Sequence, residues 1–223
     1  MRKLTRNTLA AAAVMAAAVS LTTTSARADD VTFTVSGGTS ISGTNYQLPV
    51  VARDVQTGAA ASCDTGSATG TVKNGSGLSG AGLGSLTSVS LTDSSTPDGA
   101  CLGPSGITLK LDLQGLPWAF NAVSYNSATG VTSGNLSNVK ATLTGSDDCV
   151  AHITGPGGGF GQIEGTYTNP ATAGDPALLG VTTSNLTIAD VNEFCDPNLI
   201  NQGDTIELDG KFEITPKLTI TSP

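Results

Sequence analysis

The sequence predicts an all-β fold, an antiparallel β-sandwich or barrel of about eleven or twelve strands with an internal duplication. Three observations predict it. Apolar and polar residues alternate with period two in several separate stretches, as strands with one buried and one wet face require. Gly, Ser, Thr and Ala dominate, with one Trp, three Tyr and five Phe in 223 residues, and Gly/Pro/Asn/Asp clusters punctuate the alternating runs as turns. No stretch after the N-terminal segment reads as a helix; even "NLTIADVNEFCD" (185–196) favours a strand through Thr187, Ile188 and Val191.

Along the chain, residues 1–28 read as a secretory signal. Arg2, Lys3 and Arg6 precede an apolar run from Leu9 to Leu21, and Ala26-Arg27-Ala28 marks cleavage before Asp29. The run is too short and alanine-rich to stay in a bilayer, so a secreted, extracellular product with no membrane insertion is expected. Residues 29–223 then form a single β domain made of two related halves, about 29–116 and 117–223. Val31, Phe33 and Val35 open the strands, and Thr87, Val89 and Leu91 share a face further on. Ile107, Leu109, Leu111 and Leu113 alternate with Thr108, Lys110, Asp112 and Gln114, and Val139, Ala141 and Leu143 repeat the pattern. The last long run places Ile206, Leu208, Phe212 and Ile214 on one face, with Gly210 marking a bulge or a close backbone approach.

Charge narrows the partners. Loss of Arg2, Lys3, Arg6 and Arg27 with the signal takes the formal charge from −8 to −12. That acidity argues against nucleic acid and anionic membrane surfaces, which need a basic footprint. A small apolar ligand or a cell-envelope component remains as partner, and no cofactor is expected.

Cys63, Cys101, Cys149 and Cys195 are an even set in an exported chain and predict disulfides. The order Cys, glycine-rich strand, Ser/Thr-rich strand, Cys, long strand occurs twice, which favours Cys63–Cys101 and Cys149–Cys195. Each bridge would contribute on the order of 4 kcal/mol in the chain-entropy model.

Catalytic constellations are sparse, and no catalytic residue is assigned. There is no G-x-S-x-G elbow, and a triad would have to use His152, the one histidine, in "CVAHITG". A secreted hydrolase would need His152 or a carboxylate pair drawn from Glu164, Glu193, Glu207 and Glu213 to converge in a cleft. No metal site is expected; Asp196, Asn198 and Asp204 in "CDPNLINQGD" are weak calcium candidates, explained as well by turn formation. "GSGLSG" (75–80) spells a dinucleotide-binding pattern, but the glycines and Thr/Val/Ser alternation after it exclude the required helix and predict a connecting turn. Trp118, Phe120 and Tyr125 in "LPWAFNAVSY" are the candidates for an apolar pocket.

The export signal, the small-residue bias, "GLPWAFNAVSYNSATG" and the ending "CDPNLINQGD…FEITPKLTITSP" resemble small secreted β-rich proteins of actinobacteria with two disulfides, a family without an assigned reaction. The resemblance runs from the strand before Cys101 to the C-terminus and implies location and disulfide pattern only. Composition alone is also similar to the neocarzinostatin-type chromophore-binding apoproteins. The expected role is that of a secreted non-enzymatic binding or structural component; an extracellular carrier of a small apolar ligand and a secreted hydrolase are the alternatives.

Overall fold

Alternating apolar and polar side chains along most of the chain leave it one economical solution, strands wrapped around a shared interior. A computed structural model describes residues 31–223; the expected signal sequence, 1–28, lies outside the described residues. Seventeen strands and two single-turn 3-10 segments make the described residues all-β and antiparallel. The strands are β1 (Thr32–Ser36), β2 (Ser40–Asn45), β3 (Val50–Asp54), β4 (Ala60–Cys63), β5 (Thr65–Val72), β6 (Gly75–Ser79), β7 (Gly84–Thr92), β8 (Cys101–Leu102) and β9 (Thr108–Gln114). They continue as β10 (Trp118–Asn126), β11 (Val131–Gly145), β12 (Val150–Thr154), β13 (Gly161–Thr168), β14 (Leu178–Ser184), β15 (Leu186–Val191), β16 (Thr205–Thr215) and β17 (Thr219–Thr221).

Fourteen of them form one continuous sheet whose hydrogen bonding closes on itself twice. One ring runs β2-β5-β7-β10-β11-β13-β14-β16 and back to β2. The other runs β3-β4-β8-β9-β11-β12-β15-β16 and back to β3. Opposite walls face each other across the interior as the layers of a sandwich do. Only β11 and β16 belong to both rings. The strand order repeats: β2/β3, β4, β5, β7, β8 and β9/β10 are followed by β11, β12, β13, β14, β15 and β16 in equivalent places. The repeat turns over between β10 and β11, because Trp118–Phe120 pair with Gly84–Leu86 and so complete the first set rather than begin the second.

Both shared strands change ring at a marked residue. In β11 the inner face is carried by Thr132, Gly134 and Leu136, and then by Val139 and Ala141. Asn138, at φ 71°, absorbs the odd residue as a bulge, so the alternation slips without exposing the apolar set. In β16, Gly210 needs no bulge: Ile206, Leu208, Gly210, Phe212 and Ile214 share the inner face, and a Cβ on Gly210 would lie 3.3 Å from Val50. A slip also occurs opposite Thr69/Gly70, so Leu86 faces inward and Thr87 outward.

The bridges are Cys63–Cys101 and Cys149–Cys195, closing loops of 38 and 46 residues. They do not occupy equivalent levels. Cys63 ends β4 beside the junction of the rings, whereas Cys149 precedes β12 at the outer rim of the second ring.

The remaining strands, β17-β1-β6, form a small sheet over the far end of the first ring. Here "GSGLSG" departs from the expected connecting turn. Gly75–Ser79 pairs with β1 as β6, and Leu78 packs toward the cluster that holds Phe33, Val35, Leu218 and Ile220. Gly80 is required because a Cβ there would run into the Ala122 carbonyl. Tyr167 and Asn169 pin the C-terminal segment by imitating a strand edge. The Tyr167 hydroxyl donates to Leu218 O (2.9 Å) and accepts from Leu218 N (3.1 Å); Asn169 does the same for Ile220. Burial pushes the Tyr167 hydroxyl up to about 12. Tyr167→Phe leaves both buried Leu218 backbone groups without that partner. It should cost about 1–3 kcal/mol in urea unfolding, with the bridges intact.

Candidate functional site: an apolar interior with an acidic rim

The rings enclose side chains too small to fill them. Between their walls lies a cavity of about 90 Å³ whose lining is entirely apolar, including Ala68, Leu86, Trp118, Leu136, Val139 and Ile163. A second cavity of about 80 Å³ lies toward the outer rim of the β3-containing ring. The two share Ala52, Leu111, Ile153 and Ile206 as walls and are therefore neighbours along one interior. Each is smaller than the ~150 Å³ of an apolar void that accepts a benzene-sized molecule, and the two together exceed it.

Of the expected pocket residues, Trp118 lines the central cavity, 5% exposed, with its Nε1 donating to Gln114 O at 2.8 Å. Phe120 shares its face but borders a smaller void of about 40 Å³ beneath β17-β1-β6. Tyr125 lines none of these three; the bulge between Ala122 and Ser124 shifts its phase, and it packs half-buried on the end cluster.

The rim cavity differs in one respect. Its apolar walls, Ala61, Leu109, Leu199 and Ile200 among them, are joined by Asp54, Asp147 and Asp196, and by no basic side chain. Asp54 ends β3 and is 4% exposed. Its Oδ1 accepts the Gln56 and Thr57 amides, both at 2.9 Å, which shapes the β3–β4 turn. Among the described residues no N–H or hydroxyl donates to its Oδ2, which is closed off from solvent. Burial, and then the carboxyl of Asp204 beside it, raise Asp54 above the ordinary value, outweighing the two amides that lower it. Nothing in the sequence around "RDVQTG" distinguishes this aspartate from the other turn aspartates; only the closure of the ring buries it.

The calcium candidates serve their own turn. Asp196 Oδ1 accepts Asn198 N and Nδ2, both at 2.9 Å, and Asp204 Oδ2 accepts Asn201 N at 2.7 Å. His152 stands on the outer face of the second ring, with Nδ1 2.6 Å from Asp190 Oδ1 and both side chains at least half exposed. Thr142 is its cross-strand neighbour on β11, and neither cavity reaches this row. Glu207 lies opposite Arg53 on β3, and Glu164 projects outward from β13.

Comparison with protein-family models, with curated proteins and with solved structures finds no match to this chain.

The Asp54 arrangement has a definite pH consequence. A buried acid that holds its proton more tightly than the unfolded chain does costs nothing below the ordinary 3.8, and its penalty grows as pH rises through the raised value. An asparagine keeps the Oδ1 acceptor and presents an N–H toward Asp204. Asp54→Asn should therefore melt above the wild type at pH 7 and with it near pH 3, as followed by circular dichroism.

Proposed function

We propose that the protein is an extracellular binding protein that encloses a small apolar ligand between the walls of its strand rings. The observation that carries this reading is the pair of neighbouring cavities inside the rings, the larger without a polar lining residue. Ligand pockets are concave and mostly apolar, with a few polar groups that fix orientation, and the rim aspartates are groups of that kind. The two disulfides suit an oxidising, non-cytoplasmic compartment. Export by the N-terminal signal is part of the same proposal.

Two further features support binding over the alternatives. Outward positions such as Thr65, Ser67, Thr69 and Thr71 of β5 are polar, while the interior is apolar, the reverse of a membrane-spanning barrel. A hydrolase reading has less support, because the His152–Asp190 pair sits on an outward face and away from both cavities.

Methyl NMR with benzene as the probe tests the reading. Benzene should shift the methyl signals of Leu136, Val139 and Ile163 saturably. Ala141→Leu, which fills the central cavity, should weaken binding more than ten-fold while leaving the melting temperature equal or higher, provided the added carbons fit the void. Absence of benzene binding to the wild type, or undiminished binding to a folded Ala141→Leu variant, would overturn it.

A further inference from the structure

We infer that the turn at 196–204 is a pH-sensitive latch on the rim cavity: one proton shared by the side chains of Asp54 and Asp204 holds it shut, and loss of that proton loosens it so that ligand passes. The inference rests on the apolar-ligand reading above and adds how access to that interior is controlled.

The latch is a pair of buried carboxyl groups. Asp54 and Asp204 are 4% and 8% exposed and lie side by side, one ending β3 and the other leading into β16. Each gives one oxygen to its own turn: Oδ1 of Asp54 accepts the Gln56 and Thr57 amides, and Oδ2 of Asp204 accepts the Asn201 amide. Oδ2 of Asp54 is left against the Asp204 carboxyl, closed off from solvent and without an N–H or hydroxyl donor among the described residues. Two carboxyl groups hydrogen-bond only through a proton that one of them carries, and two buried carboxylates in contact repel.

No cation from the surrounding elements replaces that proton. No lysine or arginine lines the cavity. Arg53 of β3 turns outward opposite Glu207 of β16, Lys110 of β9 outward to Asp98, and His152 of β12 outward to Asp190 of β15. The β3–β4 turn, 55–59, has no titratable side chain. Asp147 and Asp148 of the neighbouring turn, and Glu193 and Asp196 on either side of Cys195, are exposed and add only negative charge.

What the pair holds is a wall of the cavity. Leu199 and Ile200 are the apolar side chains that the 196–204 turn contributes to the lining. Behind them the turn is fastened by Cys149–Cys195 and by Gln202 Nε2, which donates to Ala189 O at 2.9 Å. Its ties to the β3–β4 turn are Thr57 Oγ1 donating to Leu199 O at 2.8 Å, the contacts between Gln56 and Thr205, and the carboxyl pair. Of these ties only the carboxyl pair titrates. Burial and the Asp204 carboxyl raise Asp54 above the ordinary 3.8, so the shared proton is in place at that value and is lost as pH rises through the raised one. The rim is therefore closed on the acid side and loosens on the alkaline side.

Two measurements on the disulfide-intact protein between pH 4 and pH 8 test the latch: amide hydrogen exchange corrected for the intrinsic rate, and benzene release followed by methyl NMR. The Leu199 and Ile200 amides, which donate to Asp196 O, should lose at least ten-fold in protection over that range, through an opening with little denaturant dependence. Benzene should leave at least ten-fold faster at pH 8 than at pH 4. Asp54→Asn and Asp204→Asn each put a permanent N–H where the shared proton lay, and both should stay protected and slow at every pH. His152→Gln, on the outward face, should behave as the wild type. Turn protection that ignores pH or falls only with global unfolding, or benzene release that ignores pH, would overturn the inference while sparing the apolar-ligand reading. A pH dependence that survives both asparagine variants or disappears in His152→Gln, or calcium chloride that restores protection at pH 8, would also overturn it. A wild type that binds no benzene would remove the apolar-ligand reading and the gate together.

Discussion

Everything in the fold depends on β11 and β16 each being hydrogen-bonded into two rings. Along β11, the part up to Val139 is flanked by β10 and β13, and the part from Lys140 onward by β9 and β12. β16 exchanges β3 and β15 for β2 and β14 in the same way. A strand paired on both sides for its whole length has no edge to offer another chain, and closure extends that protection around both rings. The cost is geometric. Each strand must keep its apolar face inward while its partners change, and the Asn138 bulge and the small Gly210 are the two local answers.

The cavities follow from composition. Two walls held about 10 Å apart are normally filled by large interdigitating side chains. Here the inner faces use Gly43, Ala52, Ala68 and Ala141 beside Val, Ile and Leu, with Trp118 and Phe212 as the large rings facing the centre. The interior is under-filled, and the stability that fuller packing would supply is offset in part by two disulfides of on the order of 4 kcal/mol each. The unequal levels of the bridges fit this division. One fastens the junction of the rings, and the other fastens the rim that carries Asp147 and the Asp196 turn.

Much of the fold was legible in the sequence because period-two alternation is a direct imprint of one buried face. The runs at 107–113 and 206–214 are β9 and β16, and the all-β class follows from them. The excess over eleven or twelve strands comes from features that leave no such imprint: two-residue β8, glycine-rich β6, and first-half runs broken where the second half is continuous. The inner face of β11 before Asn138 was hidden because Thr132 and Gly134 are not apolar residues, and because the bulge changes the phase mid-strand. The repeat predicted the disulfide partners but not their levels, since cysteine order says nothing about register. Trp118 was visible as a candidate lining residue from its apolar surroundings. Asp54 was not, because its burial arises only when β3, β4 and β16 close the ring around the 196–204 turn.

The dependence of both rings on shared strands makes cooperativity the most direct measure of the architecture. Native-state hydrogen exchange of β11 amides on either side of Asn138 reads it strand by strand. If one strand locks both rings, Leu136 and Ala141 exchange only through the same global opening, with equal free energies and equal denaturant dependence. Exchange of residues 140–145 through a separate, lower-energy opening, with 131–137 still protected, would contradict a shared-strand architecture.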